Sequence, residues 1–411
     1  MQAVIMAGGK GTRMVSIAKD IPKPMILIEG KPILQYQIEC LRRQNIINII
    51  LVIGYMGNVI RDYFMDGSQF GVQIQYIEEE IPLGTAGALY YLKNKIEEDF
   101  LLLNGDIIFD VDFERFLNYH KEKGRYATIF THPNSHPFDS GLVITDMEGI
   151  VIEWLHKEEK RSWYKNRVNA GLHILSPKIF SMFSQLKKID LDRDILKKLI
   201  SEHQLVAYDS PEYVKDMGTP ERYQSVSHDL KMGFVQAKNL KYKQKAVFFD
   251  RDGTINIYKG FITSAEDLEL IPGIAEVIKR INESGYLTIV ITNQPVIARG
   301  ECTLEELDMI HKKMETLLGI QGAYIDDLFY CPHHPDKGFK GERAEYKIDC
   351  DCRKPKPGLL YQAAEKYNIS LKDSYFIGDD ERDMEAGRCA GCICIKTDTN
   401  VAVVWKDNKY R

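Results

Sequence analysis

Two short apolar runs, at 3–6 and 246–249, each lead directly into a loop of small or acidic residues, Ala7-Gly8-Gly9 in the first case and Asp250 in the second. In parallel α/β sheets ligands collect at the carboxyl ends of strands, so each run reads as the first strand of its own ligand-binding domain. A chain of 411 residues has room for two such domains. Strand-like runs at 49–53, 72–76, 100–103 and 127–131 alternate with helical stretches at 32–44 and 87–95. The pattern returns later, with strands at 287–291 and 375–377 and helices at 274–284 and 303–318. A polar stretch at 231–245 separates the halves, which puts the boundary near Asn239 and predicts α/β domains at 1–238 and 239–411.

Fifty-four basic against fifty-nine acidic side chains leave a formal charge of −5, so no global basic field draws the chain to nucleic acid or to an anionic membrane. The opening apolar run is far too short for a secretory signal, and no stretch approaches the ~20 apolar residues of a spanning helix. A cytoplasmic protein acting on small molecules is the expectation. Eight cysteines are too few for a disulfide scaffold in a chain this long, and six of them fall at 331, 350, 352, 389, 392 and 394. Metal ligation is the better first reading for part of that group.

Ala7-Gly8-Gly9-Lys10-Gly11-Thr12-Arg13 combines glycines, which let backbone N–H groups approach an anion, with two cations that neutralise phosphate charge. Farther on, Pro22-Lys23-Pro24 holds a lysine in a rigid frame. These segments resemble the sugar-phosphate nucleotidylyltransferase family. So do Pro82-Leu83-Gly84-Thr85-Ala86-Gly87, like that family's base and ribose loop, and Leu103-Asn104-Gly105-Asp106, like its metal-binding strand end. Val168-Asn169-Ala170-Gly171 is similar to its sugar-contacting strand, and Lys215-Asp216-Met217-Gly218 to the late motif with a second metal-binding Asp. The resemblance spans nearly all of 1–225 and implies a Rossmann-like domain. It implies that Asp106 and Asp216 hold Mg²⁺, that Arg13 and Lys23 contact phosphates, and that Gly8, Gly9, Gly11, Thr12, Gly84 and Thr85 bind the nucleotide. Asn169 and Lys157 are the implied sugar-phosphate contacts. One departure is His156, which stands where the family commonly has Glu; no catalytic part is assigned to it.

In the second half, Asp250-Arg251-Asp252-Gly253-Thr254 sets two carboxylates two residues apart at a strand end. This motif resembles the haloacid dehalogenase superfamily, in which the first Asp is a nucleophile and the second a general acid and base. Thr292-Asn293, Lys354 and Gly378-Asp379-Asp380-Glu381-Arg382-Asp383 follow in the superfamily's order. The resemblance implies a Rossmannoid phosphatase domain in which Thr292 and Lys354 hold the phosphoryl group. It also implies that Asp250, Asp252 through its backbone carbonyl, and Asp379 bind Mg²⁺, with Asp383 behind them.

Cys331-Pro332-His333-His334 and Cys350-Asp351-Cys352, with eighteen residues between Cys331 and Cys350, form two Cys/His clusters suited to one tetrahedral Zn²⁺ held by Cys331, His333, Cys350 and Cys352. His334 is expected outside that set. The metal would tie down the loop that aims Lys354, giving the domain a zinc-binding loop. With Ile297-Ala298-Arg299-Gly300, this layout is similar to the heptose 1,7-bisphosphate 7-phosphatase and histidinol-phosphatase group, over about 245–400. Asn293, Arg299 and Arg353 are the implied substrate contacts. Pro295-Val296 and Asp380 depart from the group's pattern.

A phosphatase that leaves a heptose 1-phosphate supplies the substrate of a sugar-1-phosphate nucleotidyltransferase. The fusion therefore favours a bifunctional enzyme of nucleotide-activated heptose synthesis, with GTP as the donor. The alternatives are a hexose (mannose) 1-phosphate transferase joined to another sugar-phosphate or histidinol-phosphate phosphatase, or a chain in which one domain is a non-catalytic sensor.

Overall fold

The strand Gln2–Met6 carries Ala3, Val4 and Ile5 with no exposed surface, which places it inside a sheet covered on both faces. In the computed structural model, which describes residues 1–9 and 21–397, it lies between Phe100–Asn104 and Asn48–Ile53, parallel to both. Gln73–Glu78 extends that parallel block, again in parallel. On the other side Val168–Leu175 runs antiparallel to Phe100–Asn104, and a nine-stranded mixed sheet results. Two apolar clusters fill its faces, one around Ile5, Leu51 and Leu103, the other around Val4, Val52 and Leu102. The helix Ile33–Arg43 buries Leu34, Ile38 and Leu41 at the spacing of one helical face.

A separate two-stranded ribbon pairs Ile107–Asp110 with Tyr213–Asp216 and sets Asp216 opposite Ile107. The expected helix at 87–95 is instead a 3-10 helix, Gly87–Leu92. Gly84 and Gly87 open the segment, and glycine disfavours the α conformation there. The stretch after Pro220–Lys231 is not wholly irregular, because a short helix, Phe234–Ala237, follows.

The chain forms two compact units. The first comprises 1–131, 143–154 and 169–239; the second comprises 240–411 together with 132–142 and 155–168. Within the second unit the 155–168 segment is tied to the helix Leu304–Ile320 by buried polar bonds, and 132–142 is tied to it in turn through Asn134 and Asn166. The Tyr164 N–H donates to Thr316 Oγ1 at 2.9 Å, and the Asn166 N–H to Glu315 at 2.9 Å. Arg167 donates to the Asp326 carbonyl at 2.6 Å and pairs with Glu315 at 3.4 Å. A buried ion pair repays its desolvation only when its remaining donors and acceptors are satisfied, and these extra bonds meet that condition.

The second unit is built on a five-stranded parallel sheet, in the order Asp327–Cys331, Leu287–Asn293, Ala246–Phe249, Tyr375–Gly378, Ile393–Lys396. The first strand in sequence is central and the chain winds outward from it in both directions. That arrangement makes a crevice at the carboxyl ends beside Ala246–Phe249.

Candidate active sites

In the second unit, Asp250, Thr292 and Asp379 each follow or end one of three adjacent parallel strands, and Asp383 lies one helical turn beyond. Lys354 comes from a loop and is 4% exposed. Its ammonium donates to Asp250 at 2.7 Å and to the Ile291 carbonyl at 2.9 Å, and pairs with Asp383 at 2.6 Å, so all three of its protons are used. Burial pushes the Asp250 carboxyl up to about 7; Lys354 opposes that, while Asp383 and Asp252 add to it. Burial alone would lower Lys354, but Asp250 and Asp383 outweigh it and leave its pKa raised.

Asp250, Asp379 and Asp383 each offer an oxygen within 4.8 Å of the others, a hard-donor set suited to a divalent cation such as Mg²⁺. Asp383, expected behind the ligands, is thus the third carboxylate of the cluster. The Asp252 carboxylate is engaged elsewhere, by Arg251 at 2.9 Å, Gln294 at 2.9 Å and Asn256 at 3.1 Å. Gly253 sits at φ +83° with the Asp379 carboxylate packed where a Cβ would stand, so only glycine fits there. Asn293 clasps the Lys354 backbone, donating to its carbonyl and accepting from its N–H, both at 3.0 Å. Asp380 caps the helix Glu381–Ala390 and pairs with Arg382 at 2.9 Å, and that bond holds its carboxyl down at about 2.

The donor atoms of Cys331, His333, Cys350 and Cys352 also lie within 4.8 Å of one another. Their sulfurs are 3.1 to 3.5 Å apart, and His333 Nδ1 stands 3.3 Å from Cys352 and 3.7 Å from Cys331. A tetrahedral zinc site has edges of roughly 3.5–3.8 Å, so the thiolate and imidazole set fits that ion in kind and in size. His334 stays out of the cluster, and its Nδ1 accepts from the Asp336 N–H at 3.2 Å. Arg353 reaches the cluster's loop through the His333 carbonyl at 3.1 Å. Arg299 lies between the rings of Phe261 and Phe339, 4.3 and 4.5 Å from their centroids.

In the first unit, Lys23 forms an ion pair with Asp106. The Met217 N–H donates to the Asp106 carbonyl at 3.1 Å, which with the register of the ribbon brings Asp106 and Asp216 to one edge. Arg222, which no sequence motif marked, holds both Asp216 oxygens at 2.9 Å. Gly84, at φ +80°, lies under the Ile189 carbonyl, 2.5 Å from where a Cβ would be. Thr85 Oγ1 accepts from the Leu191 N–H at 2.7 Å, and Asn169 donates to Asp192 at 3.5 Å, so both motifs meet the short helical segment Leu191–Leu196. Burial, with Asp190 beside it, pushes Asp192 up to about 6. Gly8 lies against Glu79, whose Oε1 is buried with no hydrogen-bond partner among the described residues, and burial raises that carboxyl. Glu79 and Asp192 escaped the sequence reading because their significance lies in burial rather than in a motif. Gly9 is described and exposed; Gly11, Thr12 and Arg13 lie outside the described residues. Lys157 falls in the 155–168 segment of the second unit and Asn169 in the first unit. His156 donates its N–H to Glu159 at 2.5 Å.

Residues 2–232 match the nucleotidyl transferase family and residues 221–391 the haloacid dehalogenase-like hydrolases. The D-glycero-beta-D-manno-heptose-1,7-bisphosphate 7-phosphatase of Pasteurella multocida is 40% identical over 147 residues, 36% of this chain and 77% of that protein. The mannose-1-phosphate guanylyltransferase of Mycobacterium tuberculosis is 30% identical over 244 residues, 59% of this chain and 67% of that protein. Among solved structures, HddC from Yersinia pseudotuberculosis is similar at 30% identity and a TM-score of 0.50, covering 56% of this chain and 99% of its own. Among the described residues no helix is long and apolar enough to cross a membrane. The chain belongs to the nucleotidyl transferase family through its amino-terminal half and to the haloacid dehalogenase-like hydrolases through its carboxyl-terminal half, and is a bifunctional enzyme.

Proposed function

We propose that this enzyme makes a nucleotide-activated heptose in two steps, removing the 7-phosphate of heptose 1,7-bisphosphate and then joining the resulting heptose 1-phosphate to GMP from GTP. The observation that carries this reading is the union in one chain of two sites. Relatives of one are named for cleaving the 7-phosphate of a 1,7-bisphosphate, and relatives of the other for acting on a sugar 1-phosphate. Transfer is assigned to 1–238 and hydrolysis to 239–411, with 132–142 and 155–168 packed into the hydrolytic unit, and the enzyme works in the cytoplasm.

In the hydrolytic reaction an Asp250 oxygen attacks the 7-phosphorus while Thr292 holds a phosphoryl oxygen and the Lys354 ammonium, seated on Asp250, offsets the phosphoryl charge. Asp252 gives a proton to the departing sugar oxygen. Water then attacks the aspartyl-phosphate, giving its proton to Asp252 and releasing phosphate with Asp250 restored. Asp250, Asp379 and the Asp252 carbonyl, with Asp383 beside them, would hold a Mg²⁺ that would neutralise phosphoryl charge. Arg299 and Arg353 serve as the cationic contacts for the substrate, and Asn293 acts through its hold on the Lys354 backbone. Zinc on Cys331, His333, Cys350 and Cys352 has a structural part, fixing the loop that leads two residues later to Lys354.

In the transfer reaction a 1-phosphate oxygen attacks the α-phosphorus of the triphosphate and pyrophosphate leaves, so the protein chiefly positions two anions. Lys23 and Arg13 neutralise phosphate charge, and Gly8, Gly9, Gly11 and Thr12 cradle it through backbone N–H groups. Asp106 and Asp216 would hold a Mg²⁺ that would lower the cost of bringing the anions together. Asn169 receives the sugar phosphate, and Gly84 and Thr85 shape the base loop. Guanine presents adjacent N1–H and N2–H donors, and Glu79, bonded to the Leu83 backbone of that loop and with one oxygen lacking a partner among the described residues, is an acceptor matched to them.

The test is incubation of the purified protein with each anomer of heptose 1,7-bisphosphate, Mg²⁺ and each nucleoside triphosphate, followed by product mass. Phosphate, pyrophosphate and GDP-heptose are expected. Nucleotide-sugar formed from mannose 1-phosphate alone, with no phosphate released from the bisphosphate, would overturn the reading.

A further inference from the structure

Arg251 stands between the nucleophile and the general acid in sequence and is wholly buried. Its Nη2 donates to both Asp252 oxygens, each at 2.9 Å, and to Gln294 Oε1 at 3.1 Å. Its Nη1 meets His311 Nε2 at 3.2 Å, where the imidazole must accept, and burial with Arg251 beside it lowers the His311 pKa well below its usual value. Since a guanidinium only donates, the Gln294 amide has one permitted orientation: oxygen toward Arg251, nitrogen toward Asp252 and Thr292. Gln294 Nε2 then donates one proton to Asp252 Oδ2 at 2.9 Å and the other to Thr292 Oγ1 at 2.9 Å. The Gln294 N–H donates to the Cys331 carbonyl at 2.8 Å and anchors the residue at its strand end.

This arrangement has a consequence for the hydroxyl of Thr292. Because Oγ1 accepts from Gln294, its own proton is free to point at a phosphoryl oxygen. The same amide holds the Asp252 carboxylate in one rotamer, between Arg251 and Asn256. We propose that Gln294 is a positioning residue of the phosphatase reaction, setting at once the direction of the Thr292 hydroxyl proton and the placement of Asp252 for proton transfer. The proposal rests on the aspartyl-phosphate reading given above. In the first step the Asp250 oxygen–phosphorus bond forms as the phosphorus–leaving-oxygen bond breaks, and the leaving oxygen takes its proton from Asp252. In the second, water's oxygen bonds to phosphorus, its proton passes to Asp252, and the Asp250–phosphorus bond breaks.

The test compares two leaving groups on the full-length enzyme. An alkyl phosphate needs the proton from Asp252, whereas the phenolate of p-nitrophenyl phosphate leaves without one. In Gln294→Met, misplaced general acid–base catalysis should lower alkyl phosphate turnover by about 100-fold. The first-turnover release of nitrophenolate should fall less than about tenfold and appear as a burst, because water attack on the aspartyl-phosphate is now slow. Both readouts come from the same sample, so a fraction of unfolded protein cancels in their ratio. If the Met variant fails to fold, Gln294→Glu, which keeps the acceptor for Arg251 and loses both donors, should show the same split. An equal loss on both substrates with no burst would overturn the positioning role. Phosphate release by Asp250→Asn would instead overturn the aspartyl-phosphate reading itself, whatever Gln294 does.

Discussion

The two active sites are held together to different degrees. In the phosphatase unit, Lys354 is 4%, Asp250 12% and Asp383 2% exposed, and Lys354 binds both carboxylates directly. In the transferase unit the side chains of Asp106 and Asp216 are 36% and 41% exposed, and among the described residues the ion pairs that hold them are with Lys23 and Arg222. The difference follows the chemistry. A nucleophile that forms a bond to phosphorus must be fixed beforehand, in a dry setting where its partners act strongly. A site that brings two highly charged ligands together can leave its carboxylates accessible, because the ligands and their metal ion complete it.

This contrast predicts that the sites fail separately and in different ways. The largest effect should come from Asp250→Asn, which removes the nucleophile. Phosphate release from the bisphosphate should fall on the order of 10⁴-fold or more, while transfer to a supplied sugar 1-phosphate is retained. Comparable loss of both activities in a folded variant would break the comparison. Asp106→Ala or Asp216→Ala should reverse the pattern, lowering pyrophosphate formation by about 10²- to 10³-fold with phosphatase turnover spared. Wild-type transfer at limiting Mg²⁺ would contradict the metal assignment.

Cys350→Ser sharpens the comparison within the phosphatase unit. Elemental analysis should find about one zinc per chain in the native enzyme and none in the variant. Phosphatase turnover should drop roughly 10- to 100-fold, together with the thermal stability of that unit, as the loop before Lys354 loosens. A zinc-free variant with unchanged turnover would make the cluster incidental. The smallest effect belongs to the transferase: Glu79→Gln, with one acceptor oxygen in place of two, should reduce the preference for GTP over other nucleoside triphosphates by about tenfold. Unchanged discrimination in competition assays would remove Glu79 from base recognition.

The paired α/β layout was legible from the sequence because a short apolar run followed by a small or acidic loop is a local signal. Gln2–Met6, Ala246–Phe249 and Tyr375–Gly378 stand where that signal put them, and Asp250 and Asp379 follow strand ends. The four Cys and His positions were legible for the same reason, since closely spaced soft donors have few other uses in a chain of this kind. What local pattern left open was which side chain meets which. Asp252 and Asp383 are both acidic and both near a strand end, and only the packed structure turns Asp383 toward Asp250 and gives Asp252 to Arg251 and Gln294.

The sequence by itself thus determined the two α/β sheets, the order of the candidate site residues along them and the soft-donor cluster, all carried by residue type at short spacing. Tertiary structure alone decided that 132–142 and 155–168 join the second unit, that one oxygen of the half-buried Glu79 is enclosed with no hydrogen-bond partner among the described residues, and that Gln294 bridges Thr292 to Asp252. The physical reason is that desolvation and hydrogen-bond partnership depend on what packs against a residue. For Asn166 and Glu315, or Arg167 and Asp326, that neighbour lies about 150 residues away in sequence.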